Sequence, residues 1–182
     1  MLRQGLSGII VAPIRDPEAV DQLIKCGEGN EMTLTVGGKY SVPSINQIGQ
    51  GLNCTGIVKK ITDGCFKITS PVQTGLKVCL GRTVVFDIGP ATIIISEEGW
   101  EPYGPELFMH GELFPKENRF MLIKSRVHFR AGFESITNNI IMAAGPGVTS
   151  SDYSQFNFSQ IPKPMFPFDK KMKLKNIIFY NK

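Results

Sequence analysis

The sequence predicts an α/β fold, α+β mixed in detail: a single domain with a mixed, strand-rich sheet and about three helices. Three observations carry that prediction. An apolar run of strand length, Gly8–Ile14, passes within two residues into a helix start at Asp16-Pro17-Glu18. A strand-rich middle, punctuated by Gly-containing turns, extends from Met32 to Ile95. A second strand-to-helix junction follows, where Phe120-Met121-Leu122-Ile123 gives way to Phe129, Phe133 and Ile136 at helical spacing. With 182 residues, the chain is long enough to bury a real core as one domain.

Each element has a local reason. Met1-Leu2-Arg3-Gln4-Gly5 reads as the last turn of a helix, and Gly8–Ile14 as a strand. Asp16 supplies an N-cap oxygen. Pro17 suits the first helical position, where the missing N–H has no partner to lose, and Glu18 faces the positive end of the helix dipole. Ala19, Val20, Leu23 and Ile24 give that helix an apolar face, and Gly27 ends it near residue 26. Met32–Val36 alternates as a strand, and Gly37-Gly38 predicts a hairpin turn into Lys39–Val42. After a loop at 43–51, Cys54–Ile61 reads as a strand, Asp63-Gly64 as a tight turn and Cys65–Ile68 as the return. Leu76–Leu80, Thr83–Ile88 and Ala91–Ile95 give three more strands, the last two joined as a hairpin by Gly89-Pro90. A second helix is predicted over Pro105–Leu113 with Leu107, Phe108 and Leu113 inward. A strand at 119–124 leads to a helix from 126 to about 137, with Ser125 as its N-cap. Ile140–Ala144 is predicted as a strand, and the Pro-interleaved Phe156, Phe158, Phe166 and Phe168 as an extended segment packed by its aromatics. The domain is placed at 1–169, followed by a basic C-terminal tail at 170–182.

Composition narrows the function classes. No apolar run reaches the roughly 18 to 20 residues that cross a bilayer, and Met1–Gly8 lacks the apolar core of a secretory signal. A cytoplasmic protein is expected, with no membrane partner. The net charge of +4 belongs to the tail: residues 163–182 carry six lysines and one aspartate, leaving the remainder at −1. A nucleic-acid footprint on the body is therefore not expected. Cys26, Cys54, Cys65 and Cys79 show no CxxC spacing and lie in or beside apolar segments, so they read as small core residues. His110 and His128 are far apart, with no HExxH motif. Ser41, Ser125 and Ser150 are conceivable nucleophiles, but none sits in a Gly-x-Ser-x-Gly elbow. No catalytic residue and no metal ligand is assigned.

One cluster stands out as a ligand-binding candidate: Lys124, Ser125, Arg126, His128 and Arg130, at the junction between the strand at 119–124 and the helix that follows it. On one reading these cations and the neighbouring N–H groups hold a carboxylate or phosphate. On the other, Arg126 and Arg130 pair with surface acids and His128 is a satisfied polar residue. Asp16 and Glu18 also place carboxylates at a strand's C-terminal end, though helix capping accounts for them. Glu97-Glu98, Trp100, Glu101 and Tyr103 form an acidic and aromatic loop, suited either to an interface or to packing.

A series of short matches in order resembles the C-terminal domain of the MlrC-type metallopeptidases. The pieces are Leu2-Arg3, Pro13-Ile14-Arg15-Asp16-Pro17-Glu18-Ala19-Val20, Gly37-Gly38-Lys39, Thr62-Asp63-Gly64-Cys65-Phe66, Gly75-Leu76-Lys77-Val78 and Leu80-Gly81-Arg82-Thr83. Lys124-Ser125-Arg126-Val127-His128-Phe129-Arg130-Ala131-Gly132-Phe133 is the most specific, followed by Pro146-Gly147-Val148 and Pro164-Met165-Phe166-Pro167-Phe168-Asp169. The resemblance implies an N-terminally truncated domain of a zinc peptidase or amidohydrolase whose zinc ligands sit in a separate N-terminal domain, so no cofactor is expected in this chain. Such a domain would be accessory or substrate-facing and not catalytic alone. Its expected partners are a metal-binding N-terminal domain or a second copy of itself, and a peptide or acidic small molecule. The alternative is a stand-alone binding module for acidic small ligands or peptide carboxylates. A helix missing from one side of the sheet would leave apolar surface open, so self-association is expected.

Overall fold

A computed structural model of the chain describes residues 1–42, 47–137, 139–145, 150 and 152–170. It divides into two compact units, Met1–Tyr40 with Ile48–Ile141, and Ser41–Gln47 with Met142–Lys182.

The first unit is built on a mixed six-stranded sheet. Its strands are β1 (Ile9–Arg15), β2 (Glu31–Val36), β5 (Leu52–Thr62), β8 (Thr83–Asp87), β9 (Ala91–Ser96) and β10 (Phe120–Ile123), in the order β10-β1-β9-β8-β5-β2. β1 runs parallel to both β9 and β10, and the other pairs are antiparallel. Helix α1 (Pro17–Cys26) follows β1, capped as its sequence predicts: the Ala19 N–H donates to Asp16 Oδ1 at 3.1 Å. Gly5 (φ 73°) closes a single 3-10 turn at Leu2–Gln4, the helix end expected there.

Alternation along the central strands sends side chains to two cores. Val84, Phe86, Ile93 and Ile95 face α1 and pack on Ala19, Val20 and Leu23. Ile10, Ala12, Val85 and Ile94 face the opposite way, against α2 (Glu106–His110), α3 (Arg130–Phe133) and a ribbon of β6 (Cys65–Lys67) with β7 (Lys77–Cys79). Burying both faces explains why β8 and β9 are nearly continuous apolar runs. Emptying either core, as in Leu23→Ala, costs about 2–5 kcal/mol by the usual cavity penalty.

The sheet coils strongly. Three strands separate β1 from β2, yet the Gly37 N–H donates to Asp16 Oδ2 at 2.8 Å. A register shift between Val58 and Lys60 in β5 marks where the sheet bends. Gly38 leans on Gln50 and Gly51 so closely that a Cβ would lie 2.2 Å from the Gly51 nitrogen. That contact replaces the expected hairpin: β2 pairs with β5, while β3 (Ser41–Val42) pairs with β4 (Gln47–Ile48).

Three further expectations need correction. The helix predicted over 126–137 shrinks to α3, because the preceding residues are held by a long-range contact described below. Ile140–Ala144 forms no strand, and Ile141 is 92% exposed. Cys65 and Cys79, opposite each other in the β6–β7 register, form a disulfide instead of lying as free core thiols; Cys26 and Cys54 remain free. In the second unit, Phe158 meets Phe168 edge to face (4.9 Å between ring centroids), and Tyr153 joins them 5.8 Å from Phe168. The Gly147 break and residues 171–182 of the tail lie outside the described residues.

Candidate functional site

β1, β9 and β10 are mutually parallel, so their C-terminal ends, Arg15, Ser96 and Ile123, meet at one edge of the sheet. In open α/β sheets, that edge is where loops gather to form sites. Three connections leave it here: the start of α1, the loop at 97–104, and the turn at 124–129.

The first two are tied by charge. Arg15 Nε donates to the Glu97 carbonyl at 3.2 Å and lies 3.5 Å from Glu98 Oε2, while its guanidinium sits 5.0 Å from the centre of the Tyr40 ring. Arg82 bridges Glu97 and Asp21, and its side-chain and backbone donors hold the Glu97 carboxyl below its usual value. Asp16 lies beneath, 1% exposed, with Lys39 Nζ 2.9 Å from Oδ1 and the Gly37 N–H on Oδ2. Every contact of that carboxylate serves capping or chain docking, so the capping account of Asp16 suffices.

The loop and the turn meet on Glu101. Its Oε1 accepts the Ser125 hydroxyl at 2.6 Å and lies 3.3 Å from His128 Nδ1. Burial pushes the Glu101 carboxyl up, but the hydrogen bonds from Ser125 and His128, the His128 charge and a backbone bond from Arg126 outweigh it and hold the value down. Ser125 Oγ also accepts the Phe129 N–H at 3.2 Å. Ser125 therefore does not cap α3 in the expected way. It braces the turn from inside, and α3 starts only at Arg130, with no side-chain cap.

Aromatic packing fixes the assembly from beneath. Trp100 and Tyr103 meet edge to face at 5.3 Å, and Tyr103 meets the His128 ring at 5.4 Å. Phe129 and Phe133 are buried in the core on the α2 side, and Gly132 lies so near the loop that a Cβ would be 2.1 Å from the Tyr103 carbonyl oxygen. Lys124, Arg126, His128 and Arg130 are exposed, and the Arg130 guanidinium sits 5.4 Å from the centre of the Phe129 ring. The five residues singled out from sequence are thus gathered at one turn. The carboxylate seated on that turn, Glu101, belongs to the chain itself.

The anion that the turn holds is the chain's own Glu101 carboxylate. Ser125 has its proton on the Glu101 carboxylate and its oxygen on the Phe129 N–H, so both sides of the hydroxyl are engaged within the turn. Ser41 is exposed on β3, and Ser150 Oγ accepts the Asp152 N–H at 3.1 Å. His110 packs 6.0 Å from the centre of Phe66, with Nε2 3.6 Å from Asp63 Oδ1. Among the described residues, no three His, Cys, Asp or Glu side chains converge as metal ligands would. The donor set among the described residues does not fit a resident zinc ion. No described helix is long and apolar enough to cross a membrane.

Sequence reasoning missed Glu106, a buried carboxylate 8% exposed. It accepts the Thr69 N–H and hydroxyl, both at 2.9 Å, and the Ser70 N–H at 2.5 Å. Burial raises its carboxyl, but the backbone N–H of Glu106 itself, together with the Thr69 and Ser70 donors, outweighs it and holds the value below the usual one. A Cβ on Gly104 would lie 2.3 Å from Ser70 Oγ, so close approaches at Gly104 and Gly132 pin the C-terminal end of loop 97–104. The only sequence signal was an acid in the first turn of a helix, which capping alone would explain.

Comparison with known proteins gives a consistent picture. The family model described as MlrC C-terminus matches residues 1–160. Microcystinase C of a Sphingomonas species is 31% identical over 169 residues, covering 93% of this chain and 31% of that protein. A crystal structure of a candidate metallopeptidase from Mesorhizobium sp. BNC1 superposes with a TM-score of 0.77 at 21% identity, over 97% of this chain and 33% of its own. That likeness shows the fold. The chain spans about a third of the length of both relatives.

Proposed function

Since the chain belongs to the MlrC family through its C-terminal domain, we propose that it is the accessory, substrate-facing part of an MlrC-like zinc peptidase or amidohydrolase and is not catalytic alone. Its role on this reading is recognition: Lys124, Ser125, Arg126, His128 and Arg130 receive an acidic group of a peptide or small molecule. Zinc would be supplied by a separate metal-binding domain, the expected partner.

The observation that carries the reading is the Glu101 contact. The turn holds a carboxylate through a hydroxyl, an imidazole and a backbone bond, with exposed cations around it. Hydrogen bonds to an ionised carboxylate are roughly twice as strong as neutral ones, so this is chemistry suited to an acidic ligand. The position at the C-terminal ends of three parallel strands adds support, as does a relative named for microcystin, Microcystinase C.

Two measurements test it. Purified protein is incubated with zinc, dialysed and analysed for metal; stoichiometric zinc that survives dialysis overturns the non-catalytic assignment. Thermal unfolding is then followed with glutarate or short acidic peptides. The expected result is a ligand-dependent rise in Tm that Arg130→Ala and Lys124→Ala reduce. No rise in the parent protein removes the recognition role.

A further inference from the structure

The two edges of the main sheet are finished differently. β2 exposes Glu31, Thr33 and Thr35, and its Thr33 hydroxyl is bonded to Thr55 at 2.7 Å. A charged side chain on an edge, as at Glu31, discourages further pairing. β10 is the opposite case. Its four residues, Phe120-Met121-Leu122-Ile123, are all apolar, and it pairs with β1 on one side alone among the described residues.

The direction of its free backbone groups follows from the register. The Phe120 N–H donates to the Gly8 carbonyl at 3.0 Å, and Phe120 to Ile123 lie opposite Ile9 to Ala12. Backbone groups alternate along a strand, so those of Met121 and Ile123 point away from β1. Met121 and Ile123 send their side chains into the core, while Leu122, on the other face, is 48% exposed. Among the described residues, the edge therefore offers unpaired backbone groups beside an apolar side chain.

Charge says what would pair with it. From Arg119 to Arg130 the chain carries Arg119, Lys124, Arg126 and Arg130 and no Asp or Glu. A second copy of β10 would bring the same four cations against these four, which opposes self-pairing. We infer that β10 receives an extended acidic polypeptide segment as a seventh strand, its backbone on Met121 and Ile123 and its acids against Arg119 and the Lys124–Arg130 turn. This deepens the proposed recognition role, on which it rests, by naming the ligand as a strand and not a compact acid. Strand addition of this sort takes affinity from main-chain bonds and selectivity from flanking side chains.

The test uses an acetylated, amidated peptide, Glu-Glu-Val-Thr-Val-Thr-Glu-Glu, and the same peptide N-methylated at alternate residues, with glutarate as the compact acid. Binding is read by calorimetry and by backbone NMR shifts. The inference expects saturable binding of the parent peptide, shifts at Met121 and Ile123, and a roughly tenfold or greater loss on N-methylation, which removes the peptide's main-chain donors. Leu122→Gln, an exposed and uncharged change, should weaken the peptide but not glutarate. Equal binding of both peptides overturns strand addition and leaves acid recognition standing, as does binding of glutarate alone. Binding of neither overturns both. A dimer in light scattering that Leu122→Gln dissolves also overturns the inference, by making a second copy the occupant.

Discussion

Asp16 shows how much one side chain can fix. It caps α1, anchors the end of β2 through Gly37 and pairs with Lys39, all while nearly fully buried. Asp16→Ala should cost about 3 kcal/mol in urea unfolding, combining a lost cap with an N–H and an ammonium left short of a partner. A loss under about 1 kcal/mol would mean that water replaces it. Gly132→Ala is a second sharp case, because the new methyl would meet the Tyr103 carbonyl; Tm should drop by several degrees. Glu106 makes a pH prediction. Its folded carboxyl titrates below the ordinary value. The stabilisation is therefore complete above the unfolded glutamate value of about 4.3 and is lost as pH falls through the lower folded one. Denaturant midpoints between pH 6 and pH 3 should fall, and Glu106→Gln should flatten that fall. Identical profiles for the two proteins would contradict the assignment.

Elements whose signals are local were legible in the sequence, and those set by distant contacts were not. Asp16-Pro17-Glu18 announced α1 because capping acts within four residues. Gly89 at φ 87° announced the turn from β8 to β9. The turn at 124–129 was recognised as a cluster, but its internal anion was not. Glu101 lies 24 residues before Ser125, and only the parallel placement of β9 and β10 beside β1 brings them together. The length of α3 was misjudged for the same reason, and the Cys65–Cys79 bridge because facing positions on a ribbon cannot be read from spacing. That bridge spans 14 residues, so replacing both cysteines by Ser should cost up to about 3 kcal/mol. Unfolded, unreduced protein should show two titratable thiols with Ellman's reagent, Cys26 and Cys54. Four would dismiss the bridge. Burial pushes the Cys54 thiol up, so in native protein it should alkylate slowly at pH 8.

At the scale of the main unit, the sheet is covered on both faces only at its centre. Ile10, Ile94, Ile95, Val84 and Phe86 are fully enclosed, while Leu122 on β10 stays open. Amide exchange should thus be slowest in β1, β8 and β9 and faster in β10; uniform protection across all six strands would be unexpected. The same architecture gives Glu101 a meaning beyond stability. On the proposed recognition role, a visiting carboxylate that heads for Ser125 would find the berth already taken, so docking would be a swap and not a simple arrival. Measured affinities would then understate how well the berth fits, since each guest must first evict the resident. Glu101→Gln should make the protein a tighter host than its parent, at some loss of order in the turn.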